Sequence, residues 1–397
     1  MFEQLKPLPP DPILGLSAAF RADPRPRKID LGVGVYRDEA GRTPVMRAVK
    51  EAERRLLERE ESKAYIAQTG VAEFNEGMLR LVLGPSHPAL AAGRAAAVMT
   101  PGGTGALRLA AELIRTANPD ATLWVGDPTW ANHVPVMAGA GLRLATYPYY
   151  RQGAASVSFD EMMAALQRAR SGDAVLLHGC CHNPCGADLD EEQWRAVAEL
   201  AERKGLLPFV DLAYQGFGRG LEEDAFGVRL LAERLPEVVV ATSCSKNFGL
   251  YRERTGAALV VAQSAAAAAA AASHLAQVAR TLYSMPPAHG GLLAAMVLED
   301  PALREDWEAE LAAMRSRMNR LRAELAERLA ARGAPRDFSF IRRQYGMFSF
   351  LGLDAGQIAR LREEFGIYVV GSSRINVAGL NEADLDYVVE AILAVLR

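Results

Sequence analysis

Lysine and cysteine are scarce in this sequence of 397 residues, and long hydrophobic runs are missing. Six residues are lysine against 39 arginines, and 48 acidic residues bring the formal net charge to −3. A dedicated nucleic-acid-binding protein usually has a basic excess, so this balance argues against one. No apolar run reaches 18 residues, and no basic segment leads into an apolar stretch near the start. We therefore expect neither a membrane span nor a secretory signal.

The four cysteines are too few and too clustered for a disulfide framework. They are Cys180, Cys181, Cys185 and Cys244. We expect a reducing, cytoplasmic environment. Together with His182, the first three raise zinc as an alternative, but structural zinc needs a second ligand pair, and none follows at recognisable spacing. We predict no metal site.

Short apolar runs alternate with longer segments of helical periodicity, which indicates an α/β domain with a mostly parallel sheet. The runs predicted to be buried strands are 121–127, 174–179, 207–213, 237–243 and 257–262. The predicted helices are 188–204, 222–234, a stretch containing the eight alanines 265–272, and the long amphipathic segment 301–333. The residues after 333 predict a smaller α+β unit with a helix at 355–365, and the Pro-rich first 44 residues must pack on another part of the chain.

Polar residues follow several of the predicted strands, at the carboxyl ends where ligands gather in open α/β sheets. The turn PGGTGAL at 101–107 opens onto a helical pattern, and its N–H groups can hold a phosphate, although the spacing of a dinucleotide or P-loop site is absent. Asn183 follows one strand. Asp211 and Tyr214 follow another, and Asp211 taken alone fits the N-cap of the next helix equally well.

Lys246 follows the predicted strand 237–243, with Ser243 and Arg254 near it in sequence. A lysine at the end of a buried strand loses its proton more readily when it is desolvated beside cations, which makes it a candidate Schiff-base nucleophile. Pyridoxal 5′-phosphate (PLP) requires a set of groups that this sequence contains: a phosphate cradle, an arginine, a carboxylate, a phenol, an amide and a lysine.

The sequence resembles the class I PLP-dependent aminotransferases, close to the bacterial aspartate and aromatic amino acid aminotransferases. The motifs that carry the resemblance run in order along nearly the whole chain: DPILGL (11–16), LGVGVY, PGGTGALR, DPTWANH, HGCCHNP, AYQGFGRGLEEDA, SKNFGLY, PPAHG, GMFSF, LREEFG and NVAG. The resemblance implies PLP fold type I, with a mostly parallel seven-stranded sheet in a large PLP-binding domain, 45–313. It also implies a small α+β domain, 314–397, and an N-terminal arm, 1–44, that forms part of the small domain.

The resemblance implies a role for each residue at the reacting centre. Lys246 matches the lysine that holds PLP and, once freed, moves the proton between the substrate α-carbon and the cofactor C4′. Asp211 matches the partner of the pyridine nitrogen, and His133 matches a residue behind that carboxylate. Tyr214 and Asn183 match the donors to the phenolic oxygen of the cofactor.

The cofactor phosphate would be bound by Gly103, Thr104, Ser243 and Arg254, whose planar fork suits a dianion. Tyr65 matches a residue that the neighbouring subunit supplies to the phosphate. The resemblance therefore implies a homodimer with shared active sites.

Substrate binding is implied for another set of residues. Arg374 matches the arginine that binds the substrate α-carboxylate, and Arg280 matches an arginine from the partner subunit that pairs with a distal carboxylate. Trp130 matches the aromatic residue stacked on the pyridine ring. Gly34, Trp130 and Asn183 line the substrate pocket.

Three positions differ from the pattern of strict dicarboxylate members, in which asparagine is common. Ala64, Leu282 and Met285 make their surroundings more apolar, and methionine adapts to varied shapes. Arg37 and Thr43 keep the character of the aspartate-preferring members. We therefore expect an aspartate aminotransferase, which transfers the amino group of L-aspartate to 2-oxoglutarate, with some activity on aromatic amino acids.

Four other functions remain open at this point. One is an aromatic amino acid aminotransferase, and another is a PLP-dependent β-lyase or decarboxylase on the same fold. A non-catalytic binding module is disfavoured by the intact Lys246, Asp211 and Arg374, and a metal hydrolase would need the cysteine–histidine run. We expect small-molecule amino acids and 2-oxo acids as partners, and neither nucleic acid nor a membrane.

Overall fold

The computed structural model describes residues 1–7 and 12–397, so the first residue of the DPILGL motif lies outside the described residues. The chain divides into two compact units. The larger unit contains residues 44–183 and 187–317, and the smaller unit contains residues 1–43, 184–186 and 318–397. Among the described residues, no helix combines the length and the apolar character needed to cross a membrane.

A seven-stranded sheet forms the centre of the larger unit. Its strands are β1 (Ala95–Pro101), β2 (Thr122–Asp127), β3 (Arg143–Pro148), β4 (Ala174–His178), β5 (Leu207–Leu212), β6 (Val238–Ser243) and β7 (Thr255–Val261). Their spatial order is β1-β7-β6-β5-β4-β2-β3. β7 runs antiparallel to β1 and β6, and every other neighbouring pair in this sheet is parallel. The prediction of a mostly parallel seven-stranded sheet is confirmed.

The five strands predicted from apolar runs are all present, within two residues of the predicted ends. β1 and β3 were not predicted. β1 begins with three alanines, which have little preference for strands, and β3 is an edge strand whose residues are partly exposed. Neither segment therefore shows the continuous apolar run of a central strand.

Helices connect the strands of the larger unit and cover the sheet. They are Arg47–Arg59, Ala72–Leu83, Pro88–Ala91, Gly102–Ala117, His133–Gly139, Phe159–Leu166, Glu191–Lys204, Leu221–Asp224, Phe226–Arg234, Ala265–Leu282, Ala288–Glu299 and the part of Pro301–Ala331 up to residue 317. A pair of short strands, Tyr150–Arg151 and Ser156–Val157, completes the unit. Glu191–Lys204 begins with a capping box of Asp190 and Gln193, two residues that satisfy backbone groups the helix leaves unpaired.

The main hydrophobic core lies between the sheet and the helices Gly102–Ala117 and Ala265–Leu282. Leu109, Leu123 and Leu275 are fully buried in it. Burying a leucine side chain stabilises a fold by about 1.5–3 kcal/mol, so this packing holds Gly102–Ala117 firmly against the strands. The first turn of that helix is thereby kept near the carboxyl ends of the parallel strands.

The smaller unit combines the N-terminal residues with the C-terminal part of the chain. Its helices are Pro12–Ala22, the part of Pro301–Ala331 from residue 318, Phe340–Arg343, Ala355–Phe365 and Leu385–Leu396, with short 3₁₀ helices at Phe2–Gln4, Val377–Gly379 and Glu382–Asp384. Strand Ile29–Asp30 pairs in parallel with Ile367–Tyr368, and strand Phe348–Phe350 pairs antiparallel with Arg374–Asn376. The N-terminal residues thus pack on the C-terminal part of the smaller unit, and the domain bounds 1–44 and 314–397 stay predictions.

Candidate active site

Asp211 lies at the end of the central strand β5, beside His178 at the end of β4. The carboxylate is buried, and its Oδ2 is 2.9 Å from Nε2 of His133. The other ring nitrogen of His133 is 2.7 Å from the Thr129 hydroxyl, which is 2.9 Å from Nε2 of His178. A continuous chain of hydrogen-bonding groups therefore runs from Asp211 to His178.

The surroundings of Asp211 favour its charged form. Burial alone would raise its pKa, but the hydrogen bond to His133 and the electrostatic effects of His133, His178 and, least of all, Lys246 outweigh burial, and the pKa of Asp211 is lowered. Burial lowers the pKa of His178 to about 3, and the nearby His133 adds to the effect, so His178 is neutral at physiological pH. Asp211 is thus a buried anion that can pair with a cation.

Lys246 lies in the turn that follows β6. Its Nζ is 5.2 Å from the centroid of the Tyr214 ring, and Tyr214 itself is buried. Burial lowers the pKa of Lys246 to about 8. That value already includes the influence of Asp211, which raises the pKa, and of Arg254, which lowers it. At pH 7 an amine with this pKa is neutral in about a tenth of the molecules, far more than an ordinary lysine. Lys246 is therefore equipped to act as a nucleophile and a base.

An anion cradle is built at the start of helix Gly102–Ala117. Gly102 has a φ of +71°, and a Cβ built there would lie 2.4 Å from Nη2 of Arg254. A Cβ on Gly103 would lie 3.1 Å from Cβ of Ser243. The first N–H groups of a helix, an arginine fork and a serine hydroxyl are suitable ligands for a phosphate dianion. Thr104 follows in the same first turn.

Asn183 and Trp130, which the sequence analysis assigned to the cofactor site, also lie in the larger unit. Asn183 is buried just beyond β4. The Trp130 ring packs edge-on against the His133 imidazole, with centroids 5.4 Å apart and an angle of 89°. Trp130 is therefore next to the residue that binds Asp211.

The structure thus brings together two groups of predicted residues in the larger unit. One group is Trp130, His133, Asp211, Lys246 and Tyr214, and the other is Gly103, Ser243 and Arg254. The two groups are linked through the electrostatic interaction of Arg254 with Lys246.

Tyr65 and Arg280 are exposed on the larger unit. Tyr65 is 92% exposed, and Nη1 of Arg280 donates a hydrogen bond to the Ser284 hydroxyl at 2.5 Å. Their side chains face outward from this chain, where they can reach another molecule.

Arg374 is buried in the smaller unit. Its Nη2 donates a hydrogen bond to the carbonyl of Gly32 at 2.6 Å, and its guanidinium lies 4.3 Å from the centroid of the Phe348 ring. A Cβ on Gly34 would lie 2.8 Å from Cζ of that ring, so Gly34 leaves the space that Phe348 fills. The sequence reasoning missed Phe348 as a neighbour of Arg374, although the motif GMFSF contains it.

Thr129 and His178 were also missed. Thr129 lies in the motif DPTWANH and His178 lies at the end of a predicted strand. No sequence pattern shows, however, that the Thr129 hydroxyl connects His133 to His178. The connection exists because β2 and β4 are neighbours in the sheet.

Cys180, Cys181 and Asp224 place potential metal ligands within 4.8 Å of one another. The oxygens of Asp224 already accept backbone hydrogen bonds from Gly216, Gly218 and Arg219. Burial raises the pKa of Cys180, which favours the thiol over the thiolate that binds metals. The chemistry of this cluster does not suit zinc, and the absence of a metal site stays a prediction.

The residues around Lys246 fit PLP. The cofactor needs an amine that is neutral near physiological pH, an anion to face its pyridine nitrogen and a cradle for its phosphate. The larger unit provides these in Lys246, Asp211 and the turn at Gly102. Fold and site together define a PLP-dependent enzyme of fold type I.

The family model "Aminotransferase class I and II" matches residues 26–392, and the chain belongs to this family. It is a PLP-dependent aminotransferase. The chain is 52% identical over 395 residues to the aromatic-amino-acid aminotransferase of Paracoccus denitrificans, with all of both chains covered. It is 50% identical over 396 residues to the aspartate aminotransferase of Salmonella typhi, again with full coverage of both. The solved aromatic-amino-acid aminotransferase of Burkholderia pseudomallei, covalently bound to pyridoxal phosphate, is 47% identical, covers all of both chains and has a TM-score of 0.98.

Proposed function

We propose that this enzyme transfers the amino group of L-aspartate to 2-oxoglutarate, giving oxaloacetate and L-glutamate, with additional activity on aromatic amino acids. The observation that carries the transamination is the position of Lys246 beside Tyr214, with its pKa lowered to about 8 and Asp211 held as an anion. Relatives of about 50% identity are named for both substrate classes, so the names support either substrate.

PLP, when bound, supplies an electron sink for the negative charge that develops at the substrate α-carbon. Lys246 would take the proton from that carbon as a neutral amine and, as an ammonium, deliver it to the cofactor C4′. Asp211 holds a positive charge on the pyridine nitrogen, and His133 keeps the carboxylate ionised and oriented. Tyr214 and Asn183 donate hydrogen bonds to the phenolic oxygen.

The phosphate is anchored by Gly103, Thr104, Ser243 and Arg254 in the same proposal. The close approach of Arg254 to Gly102 supports it, because only a residue without a side chain leaves room there for the guanidinium. Trp130, which packs edge-on against His133, would stack on the cofactor ring.

Arg374 binds the substrate α-carboxylate in this proposal, and Gly34 lines the substrate pocket. The guanidinium of Arg374 is oriented by the Gly32 carbonyl and by the Phe348 ring. Because the guanidinium is held on two sides, it retains little conformational freedom. Less conformational entropy is therefore lost when a carboxylate binds to it.

We propose a homodimer in which Tyr65 and Arg280 serve the partner's active site. The exposure of 92% for Tyr65 supports this proposal, since its side chain is accessible to a partner subunit. The larger unit is proposed as the PLP-binding domain. The domain bounds 45–313 and a cytoplasmic location stay predictions.

The second candidate is an aromatic amino acid aminotransferase. It is favoured by the position of Met285, whose Sδ accepts a hydrogen bond from the Ile66 N–H at 3.3 Å. Met285 therefore lies against the segment that carries Ala64 and Tyr65, and it makes that surface apolar.

The test is to load the purified enzyme with PLP and to measure kcat/KM for aspartate and for phenylalanine, with 2-oxoglutarate as the acceptor. We expect glutamate as a product with both and the larger value for aspartate. A much larger value for phenylalanine would establish the second candidate. Products other than glutamate and the matching 2-oxo acid would contradict transamination.

A further inference from the structure

The turn that carries Lys246 is supported by residues that do not belong to the proposed cofactor site. We propose that Trp307 and Asn247 are positioning residues, which fix the turn of Lys246 against the turn of Tyr214 and so determine where the lysine amine stands. This inference rests on the proposed function, in which Lys246 is the lysine that binds PLP.

Trp307 contacts the two residues that directly follow Lys246. It lies on helix Pro301–Ala331 and is completely buried. Its Nε1 donates a hydrogen bond to the carbonyl of Asn247 at 2.7 Å. Its indole stacks on the Phe248 ring, with centroids 4.5 Å apart and planes 13° from parallel. The Trp307 side chain thus holds the turn through both a hydrogen bond and aromatic stacking.

Asn247 connects this turn to the one that carries Tyr214. The residue is 3% exposed, and its Nδ2 donates a hydrogen bond to the carbonyl of Gln215 at 3.2 Å. Gln215 directly follows Tyr214, and its own amide donates to the carbonyls of Leu81 and Leu221 at 3.0 and 2.9 Å. The turn after β5 is therefore anchored, and Asn247 ties the turn after β6 to it.

The support matters because the amine of Lys246 stands at the end of a flexible four-carbon stem. The position of its backbone decides which groups the amine can reach. The turn is closed by a bond from the Gly249 N–H to the Lys246 carbonyl at 3.0 Å, and Trp307 and Asn247 hold this closed turn in place. If the turn loosens, the amine moves away from Tyr214 and gains contact with water.

The alternative is that Trp307 and Asn247 only stabilise the core. Both roles predict a lower melting temperature when either residue is replaced. Only the positioning role predicts a change in the environment of the amine, so the test must measure that environment.

Three variants separate the two roles. Trp307→Phe keeps a ring for the Phe248 stack but removes the N–H donor, and Asn247→Ala removes the bond to Gln215. Trp194→Phe is the matched control, since Trp194 is also buried in the larger unit but packs against Gly227 of another helix.

The first readout uses the apoenzyme. The rate at which an amine-selective acylating reagent modifies Lys246 is followed by mass spectrometry as a function of pH. For Trp307→Phe and Asn247→Ala we expect the midpoint to rise by at least about half a pH unit, because solvent restores the ammonium form. For Trp194→Phe we expect an unchanged midpoint.

The second readout uses the PLP-loaded enzyme. A misplacement of about 1 Å can cost ~100-fold in rate. We therefore expect kcat to fall about 10- to 100-fold in Trp307→Phe and Asn247→Ala, with KM changed less than about twofold. The pH midpoint of the visible cofactor absorption should shift in both variants and stay constant in Trp194→Phe.

The inference is overturned if both variants keep the wild-type modification profile and absorption midpoint, whatever happens to their melting temperatures. Failure of the proposed function gives a different result. Borohydride reduction of the wild-type enzyme with PLP would then leave no pyridoxyl group on the peptide that contains Lys246.

Discussion

Replacing Gly102 by alanine tests the anion cradle. The added Cβ would lie 2.4 Å from Nη2 and 2.8 Å from Cζ of Arg254, well inside van der Waals contact. The obstructed group is the end of a flexible side chain, so the guanidinium moves aside by about 1 Å and the backbone is preserved. The change therefore affects phosphate binding more than folding.

Two magnitudes follow from this geometry. The φ of +71° at Gly102 costs alanine about 1 kcal/mol of stability. Loss of a charge-assisted hydrogen bond from Arg254 to the phosphate costs about 1.5–3 kcal/mol of binding free energy. At 1.36 kcal/mol per factor of ten, the Kd for PLP rises by roughly 10- to 150-fold.

The control is Gly333→Ala. Gly333 also has a φ of +71°, but a Cβ there meets no atom within 4 Å. It shares the backbone strain of Gly102→Ala without the crowding. The assay is a titration of each apoenzyme with PLP, followed by absorbance, alongside melting temperatures.

We expect both variants to lose similar stability and only Gly102→Ala to lose affinity for PLP. Wild-type affinity in Gly102→Ala would show that Arg254 does not bind the phosphate. Equal losses of affinity in both variants would show that strain, and not crowding, is the cause.

Four further predictions concern the reacting centre and the substrate range. Lys246→Ala should abolish turnover, because the cofactor anchor and the proton carrier are lost together, and measurable steady-state activity would contradict the mechanism. Asp211→Asn should lower kcat by about four orders of magnitude with an intact fold, since a charge pair about 3 Å apart at an effective dielectric of ~20 contributes about 5.5 kcal/mol, and each factor of ten corresponds to about 1.36 kcal/mol; kcat and circular dichroism check this. The rate of PLP capture by the apoenzyme should rise with pH with a midpoint near pH 8 and level off about one pH unit above it, because the pKa of Lys246 is lowered to about 8 and the neutral amine is the nucleophile; a rise that continues to pH 10 refutes it. Met285→Asn should raise the aspartate-to-phenylalanine ratio of kcat/KM by about tenfold, because changing one pocket contact from apolar to polar is worth about 1–3 kcal/mol. An unchanged ratio would show that Met285 does not influence substrate preference.

The central strands could be predicted from the sequence because they are buried on both faces and read as continuous apolar runs. β1 and β3 could not, since alanine-rich and edge strands lack that pattern. The predicted helix at 355–365 coincides with Ala355–Phe365, which the structure shows to be capped by Asp354 at its start and by Gly366 at its end.

The sequence by itself determined the residue types that PLP chemistry demands. Arginine replaces lysine almost everywhere that only charge is needed, and Lys246 remains where a primary amine is required. Asp211 and the glycine turn at 101–107 could also be found from the sequence, because each is a residue type with a specific chemical role that directly follows a predicted strand.

Only the tertiary structure decided which residues act on those groups. Thr129 reaches His178, Trp307 reaches Asn247 across 60 positions of the chain, and Phe348 lies on Arg374. Each of these contacts depends on how strands and helices pack, and none has a local pattern in the sequence. Residue chemistry can be read from the chain, whereas the environment that lowers the pKa of Lys246 exists only in the folded protein.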